Sequence, residues 1–191
     1  VGGTPSDTGK VIQLRGVVSE FKGMPQLTVS RIRMTAPADR YDTAALVPVA
    51  PIDPDEALND IRRMLDSLTD ADYRAAAKTM LQRHLEAFRQ IPAAKSVHHS
   101  FLSGLLMHTS NMLKMADFLA GLYAEIIDRS LLLTGTLLHD FAKEREFVFS
   151  DLGIVTDYST KGQLLGHLVM GAQEAAEVCS EVGVPEEKSV L

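Results

Sequence analysis

The chain has 191 residues, 46% apolar and 23% charged, enough to bury one good core and ordinary for a soluble globular protein. No apolar run reaches the length of a membrane span, no basic-apolar leader opens the chain, and the single cysteine, Cys179, excludes an internal disulfide. A reducing cytoplasm fits these features best. The net charge of −6 argues weakly against a nucleic-acid coat protein. Residues 1–40 nevertheless hold six basic and three acidic side chains, so a +3 head precedes a −9 body. That asymmetry favours a polyanion at one end, and scattered solvated charges explain it as well.

Residues 1–9 read as a loop or frayed end. From Lys10 the period becomes two: Ile12, Leu14 and Val18 share one strand face, Lys22-Gly23 is a turn signal, and Leu27 to Ile32 returns. A hairpin alone is marginal in water, so these strands want partners. Residues 35–54 are rich in proline and alanine without a period and read as a linker. Helices follow. Asp53 or Asp55 caps one that reaches about Leu68, with Pro54 in its first turn. Others cover about Asp70 to Gln90, Ser100 to Tyr123 and Asp128 to Lys143. After a β-prone connector, Phe147 to Tyr158, the last spans about Gly162 to Val182. Cys179 falls at a helical position that suits a buried structural thiol. The fold class is mainly α, a helical bundle preceded by a β-hairpin.

All of the six histidines but His84 stand where chemistry is plausible. His108 has Leu105 three residues before it and Met112 four after, which puts it on an apolar stripe facing the core. His139-Asp140 closes the apolar run from Leu131 to Leu138. A carboxylate buried there must be paired or coordinated, and imidazole plus carboxylate suits Mn, Fe or Zn. Lys143 lies three residues past Asp140, placed to neutralise a phosphate oxygen or simply to pair with Asp140. His167 sits early in its helix among apolar neighbours, as a second metal position, a phosphate donor or a core side chain. His98-His99 lead into a helix N-terminus, where imidazoles would add donors for an anion or merely cap locally. His84 has charged neighbours, Arg83 and Glu86, and reads as a surface residue.

Gly104-Leu105-Leu106-Met107-His108-Thr109, then Leu137-Leu138-His139-Asp140 with Lys143, then Gly162-Gln163-Leu164-Leu165-Gly166-His167, resembles the HD-domain phosphohydrolase superfamily. Within it the arrangement is similar to the YhaM-type 3′–5′ exoribonucleases. His98 to Thr109 matches the start of that family's HD domain, and Asp157-Tyr158-Ser159-Thr160-Lys161-Gly162 matches the segment before its Gly-His helix. Val17 to Leu27 resembles the last hairpin of its OB-type nucleic-acid-binding barrel.

The resemblance implies a partial OB-type domain over residues 1–34, a linker over 35–54 and an HD-type phosphohydrolase domain over 55–191. The family's HD domain continues past Leu191 to a vicinal His-His pair and a closing Asp, so the sequence reads as an internal piece of a longer protein, truncated at both ends. Implied metal ligands are His108, His139, Asp140 and His167, with Mn²⁺ favoured and Fe²⁺, Mg²⁺ or Zn²⁺ as alternatives. Asp140 and Lys143 take catalytic roles, and His98, His99 and Lys143 bind substrate. The implied activity is metal-assisted 3′–5′ hydrolysis of single-stranded RNA, or of single-stranded DNA, fed by the OB-type part. A free nucleotide or small phosphate ester as substrate, and a non-catalytic HD scaffold, are the competing readings. The unpaired hairpin edge suggests pairing with another chain, as in a homo-oligomer, or with missing residues.

Overall fold

Two strands, β1 (Ile12–Phe21) and β2 (Met24–Met34), pair antiparallel around Lys22 and Gly23, whose φ angles of 52° and 78° make the two-residue hairpin turn. In this computed structural model, which describes residues 9–42, 45–95 and 99–189, residues 1–8 of the loop expected over residues 1–9 lie outside the described residues. A register shift beside Gly16 bends the ladder, and a Cβ at Gly16 would stand 2.4 Å from the Thr28 carbonyl oxygen. Ile12, Leu14 and Val18 share a face with Leu27, Val29, Ile32 and Met34, and all seven are exposed. The apolar face therefore has no cover among the described residues.

The segment expected as a linker is partly docked. Val47 and Ala50 are buried, and Ala50 N–H and Leu102 N–H donate to the carbonyls of Leu102 and Pro48 respectively. Its alternating Val and Pro lack a helical period but make a short parallel bridge, Val49 to Leu102.

Five main helices follow, joined by short pieces. Asp53 caps α1 (Pro54–Asp66) by accepting from the Asp55 and Glu56 amides. Asp70 does the same for α2 (Ala71–Gln90) through the Asp72 and Tyr73 amides. Helix α3 (Gly104–Leu122) starts at Gly104, where a Cβ would meet the His99 carbonyl oxygen at 2.0 Å. Then come α4 (Arg129–Leu138), α5 (Lys143–Glu146), a small hairpin of β3 (Phe147–Phe149) and β4 (Val155–Tyr158), α6 (Thr160–Val182) and α7 (Glu186–Ser189). Leu58, Ile61 and Leu65 of α1, Met80 and Phe88 of α2, Leu106 and Leu113 of α3, Leu133 and Leu137 of α4, and Val178 of α6 meet in one core. The chain is mainly α with an N-terminal hairpin. No helix among the described residues is long and apolar enough to cross a membrane.

Three expectations change in the structure. The helix read as continuous from Asp128 to Lys143 stops at Leu138, and residues 139–142 form the turn between α4 and α5. Met112 is 41% exposed, so the stripe through His108 is not the core stripe. Leu105, Thr109, Leu113 and Ala116 face the core, and His108 and Met112 lie roughly a third of a turn away. His84 is buried, at 6% exposure. The spacing Ala77, Met80, Leu81, His84, Phe88 is a core stripe, and it outweighs the charged neighbours.

Candidate metal centre

Asp140 is the hub. Its carboxylate is 5% exposed and is approached from separate elements by three imidazoles and an ammonium group. His139, at the end of α4, brings Nε2 to 3.1 Å from Oδ2, and His108, on α3, brings Nε2 to 3.4 Å from the same oxygen. His167, on α6, lies 3.3 Å from the other oxygen, Oδ1. Lys143 Nζ donates to Oδ2 at 2.7 Å. The ligand atoms of His108, His139 and Asp140 lie within 4.8 Å of one another. Such a set can hold a divalent cation, because borderline nitrogen donors and a carboxylate suit first-row metals.

Local structure explains each placement. The chain leaves α4 in a tight turn, with Phe141 N–H bonded to Leu138 O and Lys143 N–H to Asp140 O, which points Asp140 inward and returns Lys143 beside it. Of the two roles open to Lys143, the pairing with Asp140 is made, through a turn rather than along one helix. His139 Nδ1 donates to Thr136 O at 2.7 Å, so its Nε2 is the atom presented to the centre. His167 is held in the same manner by a residue that sequence reasoning missed. The buried carboxylate of Glu146 accepts from His167 Nδ1 at 2.9 Å and from its backbone N–H at 3.0 Å. That amide is free because Gly166, at φ 70° and ψ 162°, interrupts α6. This backbone region is open essentially to glycine alone. The Gly-His pair is visible in the sequence, whereas nothing there marks Glu146 as its partner.

His99 joins the rim, its ring 5.4 Å from that of His108, which in turn stands 5.5 Å from His139. His98 lies outside the described residues. An apolar groove of about 370 Å³ opens beside His139 between α4 and α6, with Leu138, Leu168 and Gly171 on its walls. Cys179 lines it half-buried, and burial pushes its thiol up.

Electrostatics set the protons. Burial would raise the Asp140 carboxyl, but hydrogen bonds from His139 and Lys143 hold it down at about 2, so it stays ionised. Burial lowers the His108 imidazole, against the pull of Asp140, which leaves its lone pair available near neutrality. The hydrogen bond to Asp140 raises His139, against burial, so it keeps its proton above the usual range. A cation bound at His139 must displace that proton. Affinity for a divalent cation held here, probed with Mn²⁺, is therefore expected to climb about tenfold per pH unit below the raised His139 value and level off above it. Calorimetric titration between about pH 6 and about pH 8 checks this, and a flat profile would contradict it.

Fold and site together define a mainly helical protein with a buried His-Asp centre suited to a divalent cation. No family model matches the chain, and no solved structure does. Curated relatives do match. The protein named 3′-5′ exoribonuclease YhaM from Halalkalibacterium halodurans is 33% identical over 184 residues, covering 96% of this chain and 56% of that protein. The proteins of the same name from Shouchella clausii and Listeria innocua are 30% and 29% identical, each over 95% of this chain and 56% and 57% of their own lengths. The resemblance read from the motifs thus extends along nearly the whole chain. The chain spans about 56% of the length of these relatives.

Proposed function

We propose that this chain carries the hydrolytic centre of a 3′–5′ exoribonuclease, with residues 55–191 forming most of an HD-type phosphohydrolase domain, residues 35–54 linking to it, and residues 1–34 contributing the last hairpin of an OB-type barrel. The observation that carries the reading is the convergence of His108, His139 and His167 on the buried Asp140 with Lys143 alongside. Relatives named as 3′-5′ exoribonucleases, similar along 95% or more of this chain, support the same assignment.

In this reading His108, His139 and Asp140 hold a divalent cation, with Mn²⁺ favoured, and His167, beside Oδ1 of Asp140, is the ligand proposed for a second. When bound, such a cation supplies a Lewis acid that brings water to a reactive state near neutral pH. The chain's own groups do the rest. Asp140 remains ionised and keeps the cluster's net charge low. Lys143, once Asp140 is shared with a cation, is placed to stabilise charge on the non-bridging oxygens of a phosphodiester. His99 adds a donor at the rim for the 3′-terminal phosphodiester, and His98, its neighbour in sequence, is proposed as a second donor. The exposed hairpin, with Arg15, Arg31 and Arg33 on the face opposite its apolar one, supplies a basic track for a single strand.

Incubation of the full-length protein with Mn²⁺ and 5′-labelled single-stranded RNA is expected to give a ladder of products shortened from the 3′ end. A 3′-blocked strand should resist. Intact RNA alongside hydrolysis of free nucleotides would replace the exonuclease reading with a nucleotide phosphohydrolase.

A further inference from the structure

Every side chain of α5 is tied to a partner. Lys143 and Glu146 reach toward the centre, to Asp140 and His167. Glu144 and Arg145 reach away from it, to His84 on α2 and Glu174 on α6. One helical turn holds itself poorly, so these partners decide where α5 sits. It carries or adjoins most of the centre.

His84 is the inner end of this bracing. Its Nδ1 lies 2.7 Å from Glu144 Oε2 and its Nε2 lies 2.8 Å from Glu174 Oε1. An ionised carboxylate only accepts, and an imidazole donates from both nitrogens only as the imidazolium. The ring also stacks on Phe141 at 5.1 Å and 12°, and Phe141 stands edge-on to Phe88 at 4.9 Å. Phe141 directly follows Asp140 in the turn. The charged groups around His84 are Arg83 on α2, Glu144 and Arg145 on α5, and Glu174 and Glu181 on α6, where Arg83 and Arg145 bond the two α6 carboxylates. Burial lowers the His84 imidazole, and the Glu144 and Glu174 carboxylates more than restore it, leaving it raised.

We propose that His84 is a positioning residue for the metal centre: clamped between Glu144 and Glu174 and stacked on Phe141, it fixes α5 and the turn that presents Asp140. This rests on the metal-centre reading above. Partners one shell beyond metal ligands typically govern affinity by about 10- to 100-fold, and His84 acts one step further out, on Asp140 through Phe141 and on Lys143 through Glu144. A network that merely joins helices would alter stability and leave metal affinity alone.

The test compares wild type with Glu144→Ala and His84→Gln by Mn²⁺ titration, circular dichroism, and metal-free NMR of the His84 ring and of amide exchange at Phe141 and Lys143. Both variants are expected to fold, to bind Mn²⁺ about tenfold or more weakly, and to exchange the two amides faster, while the wild-type ring carries both N–H protons at neutral pH. Folded variants with Mn²⁺ affinity within about twofold of wild type and unchanged exchange would overturn the proposal. Should His84→Gln unfold, Glu144→Ala alone decides between these outcomes, since Glu144 is 39% exposed and its loss buries no orphan carboxylate. Should wild type bind no Mn²⁺, the metal reading fails, and the metal-free exchange still decides whether His84 holds the turn.

Discussion

On the proposed function, Asp140→Asn is expected to abolish Mn²⁺ binding and to lower RNA hydrolysis by about 10³-fold or more, since a catalytic cation would contribute several kcal/mol to the transition state. The amide is nearly isosteric with the carboxylate, so the loss isolates charge. Among the described residues, Asp140 is the single anion facing Nε2 of His108, His139 and His167. Without it the Lys143 ammonium would stand in the pocket with no counter-charge, and a divalent cation would meet repulsion. The same substitution removes the acceptor that keeps His139 protonated, so the His139 ring should titrate at lower pH in the metal-free variant. A variant that retains Mn²⁺ and activity would refute the role of this carboxylate.

Phe141→Ala is expected to destabilise the protein by about 3–5 kcal/mol, the range for deleting a fully buried aromatic side chain. Phe141 is 2% exposed and packs on both His84 and Phe88. Collapse of the cavity is hindered because His84 is pinned by two carboxylates and cannot follow the missing ring. Urea unfolding measures the change, and a loss below about 1 kcal/mol would show that the turn repacks freely.

The helices are legible in the sequence because their caps and periods agree: Asp53 with Pro54, Asp70 and Asp128 each stand at an N-terminus. His139 and Asp140 are legible because a polar pair closing an apolar run is costly unless partnered, and His108, Lys143 and His167 join them through the motifs that carry the family resemblance. What stays hidden depends on three-dimensional proximity. The break after Leu138 carries no proline or glycine signal, and the turn is held by Phe141 packing against His84 and Phe88 of α2. His84 is misplaced at the surface when local charge is weighed above the stripe it belongs to. Glu146 and Glu174 look like ordinary solvated acids, and only the approach of α5 to α6 shows that each is buried against a specific partner. Val47 to Ala50 is opaque because a short parallel bridge leaves no period to read.

The most direct test of a cation held by these side chains is anomalous diffraction at the manganese edge from crystals grown with Mn²⁺. One strong peak within coordination distance of His108 Nε2, His139 Nε2 and the Asp140 carboxylate is the result expected. Manganese found only at surface carboxylates, with the Lys143–Asp140 pair undisturbed, would contradict it.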